Sequence, residues 1–209
     1  MKTILCYGDS NTWGYDPVTG SRYDHNTRWP MVMEKILNRD KQEWWVVEEG
    51  QNGRTTCRED PVEGDRNGLR QLLPILESHK PLDAVAIMLG TNDLKIRFSP
   101  TPYDIARGAQ RVAIAAMESK TGPASSGPKV IMICPPPAVE SPVFHHIFGD
   151  CVEISEKLKG FYKELAKECG AIFLNAGDFV KTSNADGIHF APEGQKALAE
   201  AAAEIVEKL

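Results

Sequence analysis

Short apolar runs are separated along this chain by longer stretches in which apolar residues recur at helical spacing. The short runs predict β-strands at residues 3–7, 44–48, 84–89, 129–134 and 171–174. Several of these runs are apolar throughout, which is typical of parallel strands that are covered by helices on both faces. The pattern therefore predicts an α/β fold with repeated βα units around a parallel sheet of five strands.

The longer stretches predict helices at residues 29–37, 67–78, 102–118, 152–169 and 192–209. In the last of them, Pro192 suits the first turn and Glu193 suits the positive end of the helix dipole. Leu198 and Ala202 recur on its apolar face, so we expect this helix to pack against the sheet. Because the chain has no repeat or linker, we expect one domain over residues 1–209.

Residues with useful chemistry follow the predicted strands. Ser10 follows the first strand, Gly53 the second and Asn92 the third, while Asp186 and His189 precede the last helix. Ligands of open α/β sheets bind outside the carboxyl ends of the strands. We therefore expect these five residues to converge at one edge of the sheet.

Two motifs together offer the parts of a nucleophilic site: Gly8-Asp9-Ser10-Asn11 and Asp186-Gly187-Ile188-His189. Serine is a poor nucleophile at neutral pH unless an imidazole takes its proton, and a carboxylate must orient that imidazole. Ser10, His189 and Asp186 are thus the candidate nucleophile, base and orienting group. The combination predicts acyl transfer.

Acyl transfer also needs donors for the oxyanion, and loss of one such donor typically lowers turnover by about 10²–10³-fold. The candidates are the backbone N–H groups of Ser10 and Gly53 and the side-chain amide of Asn92. Each motif taken alone has a simpler interpretation, because glycine, serine, aspartate and asparagine all favour turns. The joint interpretation is stronger, because the roles complement one another at one sheet edge.

Charge and cysteine content narrow the function classes. The formal net charge is −5 and the basic residues are scattered, so neither nucleic acid nor an anionic membrane is an expected partner. No segment approaches the length of a transmembrane helix. The five cysteines are odd in number and lack metal-type pairing, which favours free thiols in a reducing compartment. We therefore expect a cytoplasmic protein.

The motifs Gly8-Asp9-Ser10-Asn11, Gly90-Thr91-Asn92-Asp93 and Asp186-Gly187-Ile188-His189, with Gly53, resemble the four sequence blocks of the SGNH, or GDSL-type, hydrolases. In that family the serine is the nucleophile, the histidine and aspartate complete a triad, and the glycine and asparagine complete the oxyanion hole. The blocks stand in family order and span nearly the whole chain. Asn11 replaces the leucine of the family's name, and we expect no chemical role for it.

Longer stretches around these blocks, such as Asp9-Ser10-Asn11-Thr12-Trp13-Gly14, resemble the bacterial arylesterase and acyltransferase branch. The resemblance implies a flavodoxin-like, three-layer α/β/α sandwich. It also implies hydrolysis of small aryl or short-chain acyl esters, with acyl transfer to alcohols or perhydrolysis as side activities. A small-molecule ester is the expected partner, homo-oligomers are expected, and neither a cofactor nor a metal is.

Aromatic residues near the catalytic loops are candidate walls of a substrate pocket. The main candidates are Trp13, Phe144 and Phe148, and Phe98 and Ile147 are further candidates. The alternative is that some of them only pack. The segment after the fourth strand is long enough to form a lid.

Three other functions stay open at this stage. The first is a carbohydrate O-acetyl esterase, which would use the same triad. The second is a metal-dependent phosphoesterase that holds a divalent ion with Asp9, Asn92, Asp186 and His189. The third is a binding module that retains the fold without catalysis.

Overall fold

The computed structural model describes residues 1–209 and contains one sheet of five parallel strands. The spatial order of the strands is β2-β1-β3-β4-β5. Their bounds are Lys2–Gly8 (β1), Trp44–Gly50 (β2), Ala84–Met88 (β3), Lys129–Cys134 (β4) and Ile172–Asn175 (β5). All five predicted strands are confirmed, with small differences at their ends.

Seven α-helices accompany the sheet. They are α1 (Ser10–Trp13), α2 (Trp29–Leu37), α3 (Gly68–His79), α4 (Pro102–Glu118), α5 (His145–Phe148), α6 (Val152–Cys169) and α7 (Pro192–Val206). The five long helices confirm the predicted ones, although α7 ends before residue 209. The short helices α1 and α5 were not predicted, because four residues are too few to show a period. None of the helices has the length and apolar character needed to cross a membrane.

The sheet separates two apolar cores. On one face, Leu5 and Tyr7 of β1 belong to a core shared with α3, α4 and α6. On the other face, Ile4 and Cys6 belong to a core shared with α2 and α7. Successive side chains of a strand point to opposite faces, so a strand buried on both sides must be apolar at every position. The three-layer α/β/α sandwich is thus confirmed.

The strand order places the candidate loops at a switch point of the sheet. From β1 the chain first adds β2 on one side and then β3 on the other. The connections after β1 and β3 consequently diverge, which opens a crevice at the carboxyl ends of these two strands. Ser10 lies directly after β1 and Asn92 lies shortly after β3, so both border this crevice.

Candidate active site

The tight turn after β1 fixes the position of Ser10. Asp9 caps the short helix α1, and its Oδ1 accepts a hydrogen bond of 2.9 Å from the backbone N–H of Asn11. Ser10 is the first residue of α1 and is 5% exposed. Burial raises the pKa of the Asp9 carboxyl to about 6. Asp9 is therefore a helix cap in this structure.

Ser10, His189 and Asp186 form one hydrogen-bonded line. His189 Nε2 lies 2.8 Å from Ser10 Oγ, and His189 Nδ1 lies 2.6 Å from Asp186 Oδ2. Asp186 Oδ1 accepts hydrogen bonds of 2.9 Å from the backbone N–H groups of Ile188 and His189. Burial raises the pKa of the Asp186 carboxyl. The hydrogen bond from His189 and the positive charge of the imidazole outweigh this effect and hold the pKa below its ordinary value. Asp186 is thus ionised at neutral pH and can orient the imidazole.

Two aromatic rings pack around the imidazole of His189. The Tyr15 ring centroid is 4.2 Å from that of His189, with a tilt of 32°. Phe144 approaches edge-on, with its centroid at 6.1 Å. Phe144 was a predicted pocket residue, whereas Tyr15 was missed, although its position five residues after Ser10 places it in the same segment. The two rings restrict the orientation of the candidate base.

Asn11, at the position where we expected no chemical role, connects the two chain segments that carry the candidate triad. Its Nδ2 donates to the Ile188 carbonyl at 3.3 Å, and its Oδ1 accepts from the Phe190 N–H at 3.2 Å. Its own carbonyl accepts a 3.1 Å hydrogen bond from Gln195 of α7. The side chain touches none of the reacting atoms, but it holds the backbone on both sides of His189. A leucine here could make neither hydrogen bond.

The three expected oxyanion donors, Ser10, Gly53 and Asn92, border one cavity, which His189 also lines. Asn92 Nδ2 is buried and has no acceptor within the protein. Gly53 adopts a φ of +82°, which favours glycine, and its N–H makes no hydrogen bond within the protein. Ser10 begins a helix, so its N–H has no partner within that helix. Unpaired donors that face a cavity can bind an anionic oxygen.

A buried carboxylate ties the Asn92 loop to the loop after β2. Asp93 accepts hydrogen bonds from the backbone N–H of Thr56 at 2.9 Å and from its hydroxyl at 2.6 Å. Burial raises the pKa of Asp93 to about 6. Arg54, next to Gly53, adds a second tie, because its guanidinium donates to the carbonyl of Gly8 at 2.8 Å. These contacts fix the spacing of the three candidate donors.

The cavity has a volume of about 140 Å³ and two chemically different walls. The apolar wall comprises Phe144, Ile147, Phe148 and Ile188, and the polar wall comprises Asn52, Glu63 and Lys95. The predicted pocket residues Phe144 and Phe148 thus line the cavity. A neighbouring cavity of about 370 Å³ shares Phe144, Phe148 and Ile188 with it.

Trp13 does not line this cavity, contrary to the expectation for a pocket wall. Its backbone packs against Gly50 at the end of β2, and the Arg22 guanidinium lies 5.3 Å from its ring centroid. Tyr15, two residues further along, lines the cavity instead. Phe98 does not line this cavity either, and the guanidinium groups of Arg58 and Arg97 lie 5.9 and 5.7 Å from its ring centroid.

Three of the four residues proposed as metal ligands, Asp9, Asp186 and His189, have polar partners within the protein. Both ring nitrogens of His189 contact Ser10 or Asp186, and the carboxylate of Asp9 caps α1. No group of three or more histidine, cysteine, aspartate and glutamate side chains is arranged to hold a metal ion. Because both of its ring nitrogens are engaged, His189 is not free to bind a metal ion in this arrangement, which disfavours the phosphoesterase alternative.

A parallel α/β sandwich with a serine, histidine and aspartate aligned at its switch point is typical of esterases that use a serine nucleophile. The chain belongs to the GDSL-like lipase/acylhydrolase family, whose model matches residues 6–197. The family resemblance seen in the sequence is therefore confirmed, and the protein is an esterase or acylhydrolase of this family.

Solved structures of three similar proteins agree with the family assignment. An aryl esterase from M. smegmatis is 38% identical with a TM-score of 0.94, covering 100% of both chains. A carbohydrate acetylesterase from Sinorhizobium meliloti is 38% identical with a TM-score of 0.93, covering 100% of this chain and 99% of the other. A G-D-S-L family protein from Veillonella parvula is 16% identical with a TM-score of 0.65 over both full chains, and shares the fold. No curated protein sequence matches at a significant level.

Proposed function

We propose that this protein is a serine esterase that hydrolyses small aryl or short-chain acyl esters through an acyl-enzyme on Ser10. The observation that carries the proposal is the continuous line from Asp186 through His189 to Ser10, beside the unpaired amide donor of Asn92. The similarity to a full-length relative named an aryl esterase supports the substrate class.

In the acylation step, His189 Nε2 takes the proton of Ser10 as Oγ attacks the ester carbonyl. Asp186 holds the imidazole in the reactive orientation and stabilises its cation. The carbonyl oxygen becomes an oxyanion and accepts hydrogen bonds from Ser10, Gly53 and Asn92. The carbon–oxygen bond then breaks, and His189 returns the proton to the leaving alcohol.

In the deacylation step, His189 takes a proton from water, and the resulting attack releases the acid and frees Ser10. An alcohol in place of water gives a new ester, and hydrogen peroxide gives a peracid, so both side activities use the same site. The apolar wall of Phe144, Ile147 and Phe148 excludes part of the water and favours transfer to alcohols.

A second candidate function is a carbohydrate O-acetyl esterase. The polar wall formed by Asn52, Glu63 and Lys95 favours it, because a sugar ester presents hydroxyl groups that such a wall can bind. The full-length similarity to a relative named a carbohydrate acetylesterase also supports it. Both candidates share the acyl-enzyme step and differ in the alcohol portion of the ester.

Turnover of para-nitrophenyl acetate in the presence of a chelator tests the proposal. We expect the wild-type protein to be active, and His189→Ala to lose at least about 10⁴-fold in kcat because the nucleophile loses its base. His25→Ala, at an exposed histidine, is the matched control and should keep full activity. Full activity of a folded His189→Ala variant, or activity that the chelator abolishes, would contradict the proposal.

A further inference from the structure

The polar wall of the cavity is built on a turn that a buried aspartate holds. The side chain of Asp60 is fully buried, and its Oδ1 accepts hydrogen bonds from the N–H groups of Val62 and Glu63 at 2.9 and 3.1 Å. Its Oδ2 contacts Lys95 Nζ at 3.3 Å and Arg97 Nη2 at 2.7 Å. The turn is thus fixed to the segment that follows Asn92, and it presents Glu63 to the cavity.

The two carboxylate oxygens of Glu63 have different surroundings. Oε1 accepts hydrogen bonds from Lys95 Nζ at 2.5 Å and from Arg97 Nη2 at 2.6 Å. Oε2 accepts no hydrogen bond from the protein, and Arg66 Nε contacts it only at 3.8 Å. A Cβ on Gly53 would lie 2.4 Å from Oε2, so this oxygen is adjacent to the candidate oxyanion glycine. A free acceptor therefore borders the cavity beside the reacting centre.

The charges around Glu63 determine what this acceptor can bind. Two carboxylates, Asp60 and Glu63, contact three cations, Lys95, Arg97 and Arg66, so the group as a whole carries one net positive charge. Such a group does not attract a cationic ligand, but Oε2 of Glu63 accepts no hydrogen bond within the protein and can accept one from a ligand. A hydroxyl group is the matching partner. An acetyl group carries no such donor, whereas the alcohol portion of a polyol or sugar acetate does.

We propose that Glu63 is a specificity-determining residue whose Oε2 accepts a hydrogen bond from a hydroxyl on the alcohol portion of the ester. The inference rests on the proposed esterase function and narrows its substrate class to esters of polyols and sugars. A Cβ at residue 53 would crowd this carboxylate, because it would lie 2.4 Å from Oε2.

Matched pairs of acetates test the proposal. Ethylene glycol monoacetate is compared with ethyl acetate, and glycerol monoacetate with propyl acetate, by kcat/KM. We expect the wild-type protein to favour the hydroxylated member of each pair by about 10-fold, the discrimination that one charge-assisted hydrogen bond supplies.

Glu63→Gln should remove this preference. Lys95 and Arg97 are both donors, so they should keep the single amide oxygen and leave the NH₂ group facing the cavity, where it cannot accept a hydroxyl proton. Glu77→Gln makes the same chemical change on the exposed surface of α3, and should retain the wild-type ratio.

Equal rates on both members of each pair by the wild-type protein would overturn the proposal, and this comparison needs no variant. An unchanged ratio in a Glu63→Gln protein with a normal melting curve would also overturn it. Absence of turnover on all these esters and on para-nitrophenyl acetate would overturn the proposed function itself, and this inference with it.

Discussion

The cavity has two sides that are held in place in different ways. The reacting side carries Ser10 and His189, and the recognition side consists of the apolar and polar walls. Ser10, His189 and Asp186 are buried and linked by hydrogen bonds, and Asn11 fixes the backbone beside them. The apolar recognition wall instead depends on α5, a helix of four residues next to Gly149. The comparison indicates that the chemistry is fixed by a buried network, whereas short surface segments set the substrate range. Substitutions on the two sides should consequently have different effects.

Asn92→Ala should produce the largest effect in this comparison. Loss of one oxyanion donor should lower kcat by about 10²–10³-fold with little change in KM, because the donor acts mainly on the transition state. Steady-state kinetics on para-nitrophenyl acetate would measure this change. Asn184→Ala, at an exposed asparagine, is the control. An unchanged kcat would remove Asn92 from the oxyanion hole.

Asn11→Leu introduces the leucine that the family's name carries. It should lower activity although the side chain of residue 11 touches none of the reacting atoms. The buried carbonyl of Ile188 and the N–H of Phe190 lose their partners, which should lower the free energy of unfolding by about 2–4 kcal/mol. We expect kcat to fall while KM and the preference among esters are retained. Denaturant unfolding and kinetics measure the two effects, and wild-type stability and turnover in the Asn11→Leu variant would contradict them.

Asp9→Asn should change how stability depends on pH. The pKa of Asp9 is raised to about 6, so the folded state resists its ionisation, and its contribution to the free energy of unfolding falls as pH rises from about 4 to 6. Asparagine keeps the cap and cannot ionise, so the variant should gain roughly 3 kcal/mol relative to wild type between pH 4 and 7. Denaturant unfolding at several pH values measures this gain, and parallel pH curves would refute the expectation.

Phe148→Ala should have the smallest effect on chemistry and act on the recognition side. Phe148 lines both the candidate catalytic cavity and the larger neighbouring one, so its removal should enlarge the space for the acyl chain and raise the hexanoate-to-acetate ratio of kcat/KM by about 10-fold. Trp13→Ala serves as the matched aromatic control and should leave the ratio unchanged, because Trp13 lies outside the cavity. A raised ratio in Trp13→Ala together with an unchanged ratio in Phe148→Ala would contradict the assignment of Phe148, and not Trp13, to the wall of the substrate pocket.

The sequence predicted the reacting side better than the recognition side, for a physical reason. Ser10 and Asn92 follow parallel strands, whose carboxyl ends meet at one sheet edge, so strand prediction alone brings them together. The contacts of Asn11 join positions 177 and 179 residues apart, and no local period reveals them. Glu63 and Lys95, which are distant in the sequence, meet in a partly buried ion cluster that no local pattern reveals. Trp13 was misplaced because the direction of a four-residue helix cannot be derived from its sequence.

Reaction of the protein with a fluorophosphonate, followed by intact-mass measurement and peptide mapping, tests whether Ser10 is an activated nucleophile. We expect one adduct per chain, located on Ser10, which is absent in Ser10→Ala and forms much more slowly in His189→Ala. Ser21→Ala, at an exposed serine, should label like the wild-type protein. A folded wild-type protein that forms no adduct, or forms it on another residue, would contradict an activated serine at position 10.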